Sequence, residues 1–384
     1  MKRRSLVSLV LGGALALSLC ACGSGGGSAQ ETPAETVQST AETASETPAA
    51  ETGDGKIVIT DQRGKTIEFD EPPQRLATTI MPFPYLFYAV MGDNDHMVGC
   101  NPSSMAAYED SALRHMYPAM AEADTSWVDT SFVVNVEELL KLQPDVVFQW
   151  DYMTEDIEKM EAAGLKVIAL HLDSSSEVAL QDLETWIRII AALYQKEERA
   201  EEILDYFYQC VDEVTQTLAD AGVTPEDYPT AIQLSDNMKV GGAGFSNYWF
   251  EQSGAVNPAA ELTGDALNVD MEQMLLWNPE YIYIGNFTEL QPSDLLENKL
   301  EGQDWSLIRA VQDGHVYKIP IGGYRWDPPG IETPLMIKWL AKIQYPDVFA
   351  DMDMKEEVSE FYQEVYNFTL TDEMLAEILD DTQN

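Results

Sequence analysis

Residues 137–148 read Glu-Glu-Leu-Leu-Lys-Leu-Gln-Pro-Asp-Val-Val-Phe, and residues 272–283 read Glu-Gln-Met-Leu-Leu-Trp-Asn-Pro-Glu-Tyr-Ile-Tyr. The two stretches align without a gap at a constant offset of 135. Each begins with apolar residues at helical spacing and meets a proline, which a helix cannot continue through. An acidic residue and an apolar, strand-favouring run follow. The unit is helix, turn, strand, and its recurrence indicates two lobes built to one plan.

The surrounding pattern agrees. Ile57–Thr60 and Thr66–Phe69 flank Asp61-Gln62-Arg63-Gly64 and read as a hairpin. Strands are expected over Arg75–Ile80, Met97–Cys100, Asp145–Trp150 and Lys166–Leu170, with helices over Tyr85–Met91, Val136–Leu142 and Glu155–Ala163. Strands alternating with helices imply a parallel α/β sheet. Two helices come next, Val178–Tyr194 and Glu197–Leu218. The second sets Ile203, Phe207, Val211, Val214 and Leu218 on one stripe and spans ~33 Å as a rigid spine. After it the α/β pattern restarts. Strands are expected over Thr230–Leu234, Met238–Val240, Glu280–Gly285 and His315–Pro320. Helices are expected over Tyr248–Gly254, Met271–Trp277, Thr333–Ala341, Lys355–Val365 and Asp372–Leu379.

The N-terminus has a different character. Lys2, Arg3 and Arg4 precede an uncharged run, Ser5–Ala21, which reads as a secretory leader. The run is too short for a comfortable ~20-residue membrane span. Leu19-Cys20-Ala21-Cys22 resembles a bacterial lipobox. It implies cleavage before Cys22, lipidation of its thiol, and a protein tethered outside the cytoplasm. Gly23–Gly55 has no aromatic or basic residue and reads as a flexible acidic linker. The expected organisation is therefore a leader over 1–21, a linker over 22–55, a first lobe over 56–176, connecting helices over 177–220 and a second lobe over 228–384.

The chain carries 66 acidic and 22 basic residues, a net charge of −44. Such a surface repels nucleic acid and anionic lipid, and an anionic ligand needs a local basic patch. Cys100 and Cys210 suit buried small hydrophobes, although a disulfide between them stays open. There is no CxxC, HExxH or GxSxG, and Gly241-Gly242-Ala243-Gly244 lacks the lysine of a phosphate loop. His96, His115 and His315 lie in separate elements, so no metal site is expected.

A family resemblance rests on several short motifs in order. These are Asp61-x-x-Gly64-x-x-Ile67, Pro72-Pro73-x-Arg75, Asn135-Val136-Glu137-Glu138-Leu139, Gln143-Pro144-Asp145-Val146-Val147, Gly254-x-x-Asn257 and Gly314-x-Val316-Tyr317. Together they resemble the ABC-importer substrate-binding proteins for iron complexes and vitamin B12, from about Lys56 to the C-terminus. The resemblance implies an α/β fold of two Rossmann-like lobes joined by a single long rigid helix, the class III periplasmic-binding architecture. It also implies ligand capture between the lobes without catalysis. The ligand would be a ferric siderophore, haem or a corrinoid, with no resident cofactor. The partners would be that small molecule and an ABC permease dimer, and the protein would be a monomer that meets the membrane only through its lipid. Family members dock through one acidic side chain per lobe, and Glu137 and Glu272 occupy the matching places. Solvated surface glutamates are the alternative for that pair.

The cleft is expected at loops after the C-terminal strand ends. Met81, Phe83 and Tyr85, then Trp150 and Tyr152, then Phe245 and Trp249, then Tyr324, Arg325 and Trp326 are the candidates. Core packing is the alternative for each aromatic residue. Arg325 lies between aromatics and suits a carboxylate, a phosphate or a ring face, with a surface ion pair as the alternative. Arg114 is a second candidate cation. Having few pocket arginines argues against a strongly anionic siderophore. His171 ends a strand and either faces the cleft or caps the core edge. An extracytoplasmic enzyme or a ligand-sensing lipoprotein on the same fold is the competing function.

Overall fold

The protein is described here in a computed structural model. It covers residues 55–92, 96–173, 176–264 and 266–380; the leader, Cys22 and the linker through residue 54 lie outside the described residues. Strands β1 (Ile57–Thr60) and β2 (Thr66–Phe69) pair antiparallel as the expected hairpin. Next come β3 (Leu76–Thr78), α1 (Phe83–Met91), β4 (Met97–Cys100), α2 (Pro102–Glu109), α3 (Leu113–Met116), α4 (Val136–Lys141), β5 (Val146–Trp150), α5 (Thr154–Ala162) and β6 (Val167–Leu170). Helices α6 (Ser176–Tyr194) and α7 (Glu197–Asp220) follow. The remainder is β7 (Ala231–Asp236), β8 (Lys239–Val240), α8 (Phe245–Gln252), β9 (Leu267–Asn268), α9 (Met271–Trp277), β10 (Tyr281–Ile284), α10 (Pro292–Leu296), α11 (Arg309–Asp313), β11 (Val316–Lys318), α12 (Thr333–Gln344), α13 (Met354–Tyr366) and α14 (Asp372–Asp380).

The first sheet has the order β4-β3-β5-β6 and is parallel throughout. The second has the order β11-β10-β7-β8-β9, with its first three strands parallel and β8 and β9 antiparallel. Strand alternation divides the apolar residues between two faces. Leu76, Val146, Phe148, Ile168 and Leu170 belong to one core cluster, whereas Ala77, Val147, Val167 and Ala169 belong to another. In β10, Tyr281 and Tyr283 face one way and Ile282 and Ile284 the other. The Phe148 and Tyr283 faces join a single cluster with residues of α1, α6, α7, α8, α12 and α13. All five residues of the expected α7 stripe are buried. Helix α7 is flanked by α6, α8, α12 and α13, so the long spine is embedded in a helical layer.

The repeat has matching geometry. Asn135 caps α4 by accepting from the N–H groups of Glu137 and Glu138, and Asp270, 135 residues later, caps α9 by accepting from Gln273. Gln143 and Asn278 both take left-handed φ, +48° and +42°, just before the equivalent prolines. A left-handed residue ends each helix and aims the chain into its strand.

The motifs behind the resemblance are frame residues. Asp61 accepts from the backbone N–H groups of Arg63, Lys65 and Ala169, which clamps the hairpin turn to β6. Arg75 donates to the carbonyls of Leu142 and Gln143 and caps the end of α4. Asn257 Nδ2 bonds the Gly241 and Gly242 carbonyls, and Gly254 sits at φ +78°.

Residues 101–134, for which the sequence suggested no element, contain α2, α3 and a 3-10 turn at Pro118–Glu122. These pieces are short and lack an apolar stripe, so periodicity does not reveal them. Helix α8 begins at Phe245 rather than Tyr248, because Gly244 is extended and ends the preceding loop. Cys100 and Cys210 are both free and buried, and burial raises their thiol pKa values to about 12 and about 11. No helix among the described residues is long and apolar enough to cross a membrane.

Phe148 is fully buried where β5 meets the shared core, 4.3 Å from the Phe83 ring. Phe148→Ala should lower the unfolding free energy by roughly 3–5 kcal/mol, measured by urea denaturation.

Candidate functional site

The C-terminal ends of β10 and β11 carry one rim of the site. Between them, Lys318 Nζ donates to the carbonyls of Gly285, Thr288 and Leu290 at 2.8, 2.9 and 3.1 Å. This buried ammonium holds the loop after β10 in place, and burial pulls its pKa down. Asp327 accepts from the Asn286 N–H at 3.1 Å, and burial raises its pKa. Asn286 Nδ2 in turn donates to the Pro320 carbonyl, which ties the two loops together.

Arg325 rests on this frame. Its Nε donates to the Asn286 carbonyl at 3.2 Å. Its guanidinium carbon lies 4.7 Å from the Phe287 ring centroid and 5.6 Å from that of Tyr324. No Asp or Glu among the described residues forms an ion pair with it. The other candidate cation, Arg114, is committed elsewhere: its Nη2 pairs with Glu377 of α14 at 2.8 Å.

A second set of strand-end residues comes from the first sheet. Buried Gln149 accepts from Thr79 Oγ1 and from the Trp150 N–H, and its Nε2 donates to the Phe132 carbonyl. Phe132 sits at φ +68°, a costly conformation for a bulky residue, and its ring meets Trp150 edge-on at 6.1 Å. Trp150 also touches Trp186 at 5.5 Å and stacks on Tyr152 at 5.9 Å, with 17° between the planes. Tyr152 is 60% exposed. His171 is exposed too; its Nδ1 lies 3.0 Å from Asp151 Oδ2, and its carbonyl accepts from Trp186 Nε1. Met81 is half-buried, and its carbonyl accepts from Ser104 Oγ.

The rims meet at one end. Tyr85 of α1 stacks on Tyr324 with centroids 5.1 Å apart and planes 8° apart. The Ala112 N–H donates to the Gly322 carbonyl at 2.8 Å. Phe83, Phe245, Trp249 and Trp326 are fully enclosed and act as packing in this structure, so they present no flat wall. Of the aromatic candidates, Tyr152 alone is well exposed.

Residues beyond the sequence candidates complete the site. Gln149 had a detectable signal, a polar residue inside the apolar strand Val146–Trp150. Asn286 and Phe287 had only their place after a strand. Glu332 had none: its side chain is buried, accepts from the Gly323 and Tyr324 N–H groups at 3.0 Å each, and is pushed by burial to a pKa of about 7.

Glu137 and Glu272 are exposed on the first turns of α4 and α9. Among the described residues, neither carboxylate has an ion-pair partner. One turn on, Leu140 and Leu275 are exposed at equivalent positions.

Two sheets covered by a shared helical layer, with strand-end loops that meet where Tyr85 stacks on Tyr324, are the architecture of a two-lobe solute receptor. The profile of the periplasmic binding protein family matches residues 85–321, and the chain belongs to that family. A periplasmic solute-binding protein from Veillonella parvula is 34% identical, with a TM-score of 0.77 over 85% of this chain and 97% of that one. The molybdate-binding protein MolA of Haemophilus influenzae is 27% identical over 251 residues, 61% of this chain and 70% of the relative. Its molybdate-bound structure superposes with a TM-score of 0.69 over 82% of this chain and 99% of that one. Helicobacter pylori CeuE, solved as a nickel–histidine complex, shares the fold at 19% identity and a TM-score of 0.62, over 83% of this chain and 98% of that one.

Because burial raises the Glu332 pKa from 4.5 to about 7, its contribution to stability is full below pH 4.5 and is lost as pH rises through about 7. The groups facing it, Tyr85, Tyr324, Tyr362 and Tyr366, are all raised above their ordinary range and do not titrate in that window. The Tm difference between wild type and Glu332→Gln should therefore move in favour of the variant from about pH 5 to about pH 8. Scanning calorimetry across that range checks it, and a pH-independent difference contradicts the burial argument.

Proposed function

We propose that this chain is the substrate-binding component of an ABC importer, lipid-anchored at Cys22 outside the cytoplasm, and that its ligand is a compact oxyanion of the molybdate kind. Arg325 carries this reading. In a chain of 66 acidic residues, a guanidinium held by a carbonyl and two ring faces, with no carboxylate in ion-pair contact among the described residues, keeps its anion-binding edge for a ligand. The similarity to a molybdate-binding protein supports the same chemistry. Capture and release need no bond to break, so the ligand returns unchanged and no catalytic residue is assigned.

A second reading keeps the ligand a ferric complex, haem or a corrinoid. The stack of Trp150 on exposed Tyr152 favours it, because that flat face suits a macrocycle. The enclosure of Phe83, Phe245, Trp249 and Trp326 leaves less aromatic surface than a large ring needs, which supports the oxyanion.

Tryptophan fluorescence and calorimetric titration of the mature chain with molybdate, tungstate, sulfate, ferric catecholates, ferric hydroxamates, haem and cobalamin separates the two. Saturable binding of molybdate or tungstate is expected, and Arg325→Ala should weaken it roughly ten- to a hundredfold. Binding confined to haem, cobalamin or the ferric complexes would replace the oxyanion with the second reading.

Delivery to the permease is assigned to Glu137 and Glu272, with Leu140 and Leu275 as apolar flanks on the same pseudo-symmetric helices. A Glu137→Arg, Glu272→Arg variant should bind ligand normally yet lose uptake in cells. Unchanged uptake would sink the docking assignment.

A further inference from the structure

Below the rim, the loop Gly322–Arg325 is supported from one side by a single buried carboxylate. Glu332 Oε1 accepts from the Gly323 N–H and Oε2 from the Tyr324 N–H, each at 3.0 Å. Glu332 is the N-cap of α12, and Thr333 and Pro334 form the first turn of that buried helix. The loop has no slack around this anchor. A Cβ on Gly322 would lie 2.5 Å from Glu332 Oε1 and 2.8 Å from the Tyr362 hydroxyl. A Cβ on Gly323 would lie 3.1 Å from the Tyr366 hydroxyl. The Ala112 N–H holds the Gly322 carbonyl as well.

We infer that Glu332 is a positioning residue for ligand capture: by gripping two successive backbone N–H groups, it holds Tyr324 against Tyr85 and aims Arg325 at the cleft. The inference rests on the reading of Arg325 as the ligand contact. The chemistry of the grip is particular to a carboxylate. Its two acceptor oxygens meet the two backbone donors, with the Tyr362 hydroxyl beside them, and among the described residues neither N–H has another partner. Glutamine has the same shape but offers one acceptor and an NH2, so one backbone N–H would face a donor. Aspartate is one methylene shorter and cannot reach both. Glu332 touches no ligand in this account; it acts through the loop.

Two variants of the mature chain, Glu332→Gln and Glu332→Asp, test it at about pH 8, above the Glu332 pKa of about 7 so that both oxygens accept, by amide hydrogen exchange and by titration with sodium molybdate. Exchange at Gly323 and Tyr324 should quicken at least tenfold in both, while amides in the middle of α7 and α12 keep their protection. A purely structural role would instead spread the change through those helices. Molybdate affinity should fall about tenfold in Glu332→Gln, and adding Arg325→Ala should cost less than in wild type, since both act on one contact. Unchanged exchange at the two amides overturns the inference. So does faster exchange with undiminished affinity, or fully additive losses. The exchange arm needs no ligand, so a wild-type chain that binds no oxyanion would sink the oxyanion reading separately and leave the grip still decided by exchange.

Discussion

One apolar core runs beneath both sheets, and the rest of the molecule depends on it. Phe148 of the first sheet and Tyr283 of the second belong to the same cluster, with α1, α6, α7, α8, α12 and α13 between them. Parallel sheets need cover on both faces, and here one helical layer supplies a face to each. Opening the rims far apart would expose part of that shared core, at about 25 cal/mol for every Å² of apolar surface returned to water. The physical expectation is a receptor whose rims shift by small amounts rather than swing on a hinge.

That restraint explains why loops carry the site. Backbone ends that leave a rigid sheet are free to differ, and the frame beneath keeps them in register. Lys318 uses its three donors on carbonyls of the loop after β10, Asn286 ties that loop to Pro320, and Glu332 grips the loop after β11. Lys318 and Glu332 are buried charged groups and Asn286 is a half-buried amide, and hydrogen bonds offset the desolvation of each. On top of them stands Arg325, which no carboxylate among the described residues ion-pairs, although the buried Asp327 carboxyl lies close enough to feel its charge.

The fold was largely legible in the chain. The repeat at Glu137 and Glu272, the apolar strands and the α7 stripe are local patterns, and local patterns survive folding because burial acts on them directly. The family motifs were legible for a related reason: Asp61, Arg75 and Asn257 make short-range or frame bonds that a turn or a helix end demands. The site was less legible. Aromatic candidates look alike in sequence, yet Trp249 lies in α8, sealed in the core, while Tyr152 stands out in solvent. Burial of a loop residue is set by what folds over it from far along the chain, and spacing carries no trace of that. Residues 101–134 escaped notice because their helices are too short to show a period.

By itself, then, the sequence determined two α/β units, the helix pair between them, and a lone arginine in an aromatic loop. Only the tertiary structure decided that Arg325 forms no ion pair among the described residues while Arg114 is taken by Glu377, that Tyr85 and Tyr324 stack across 239 residues of chain, and that Glu332 lies under the loop. The physical reason is range. Periodicity and turn chemistry are settled within a few residues, whereas a charge's partner is whichever group the packed core brings within about 4 Å.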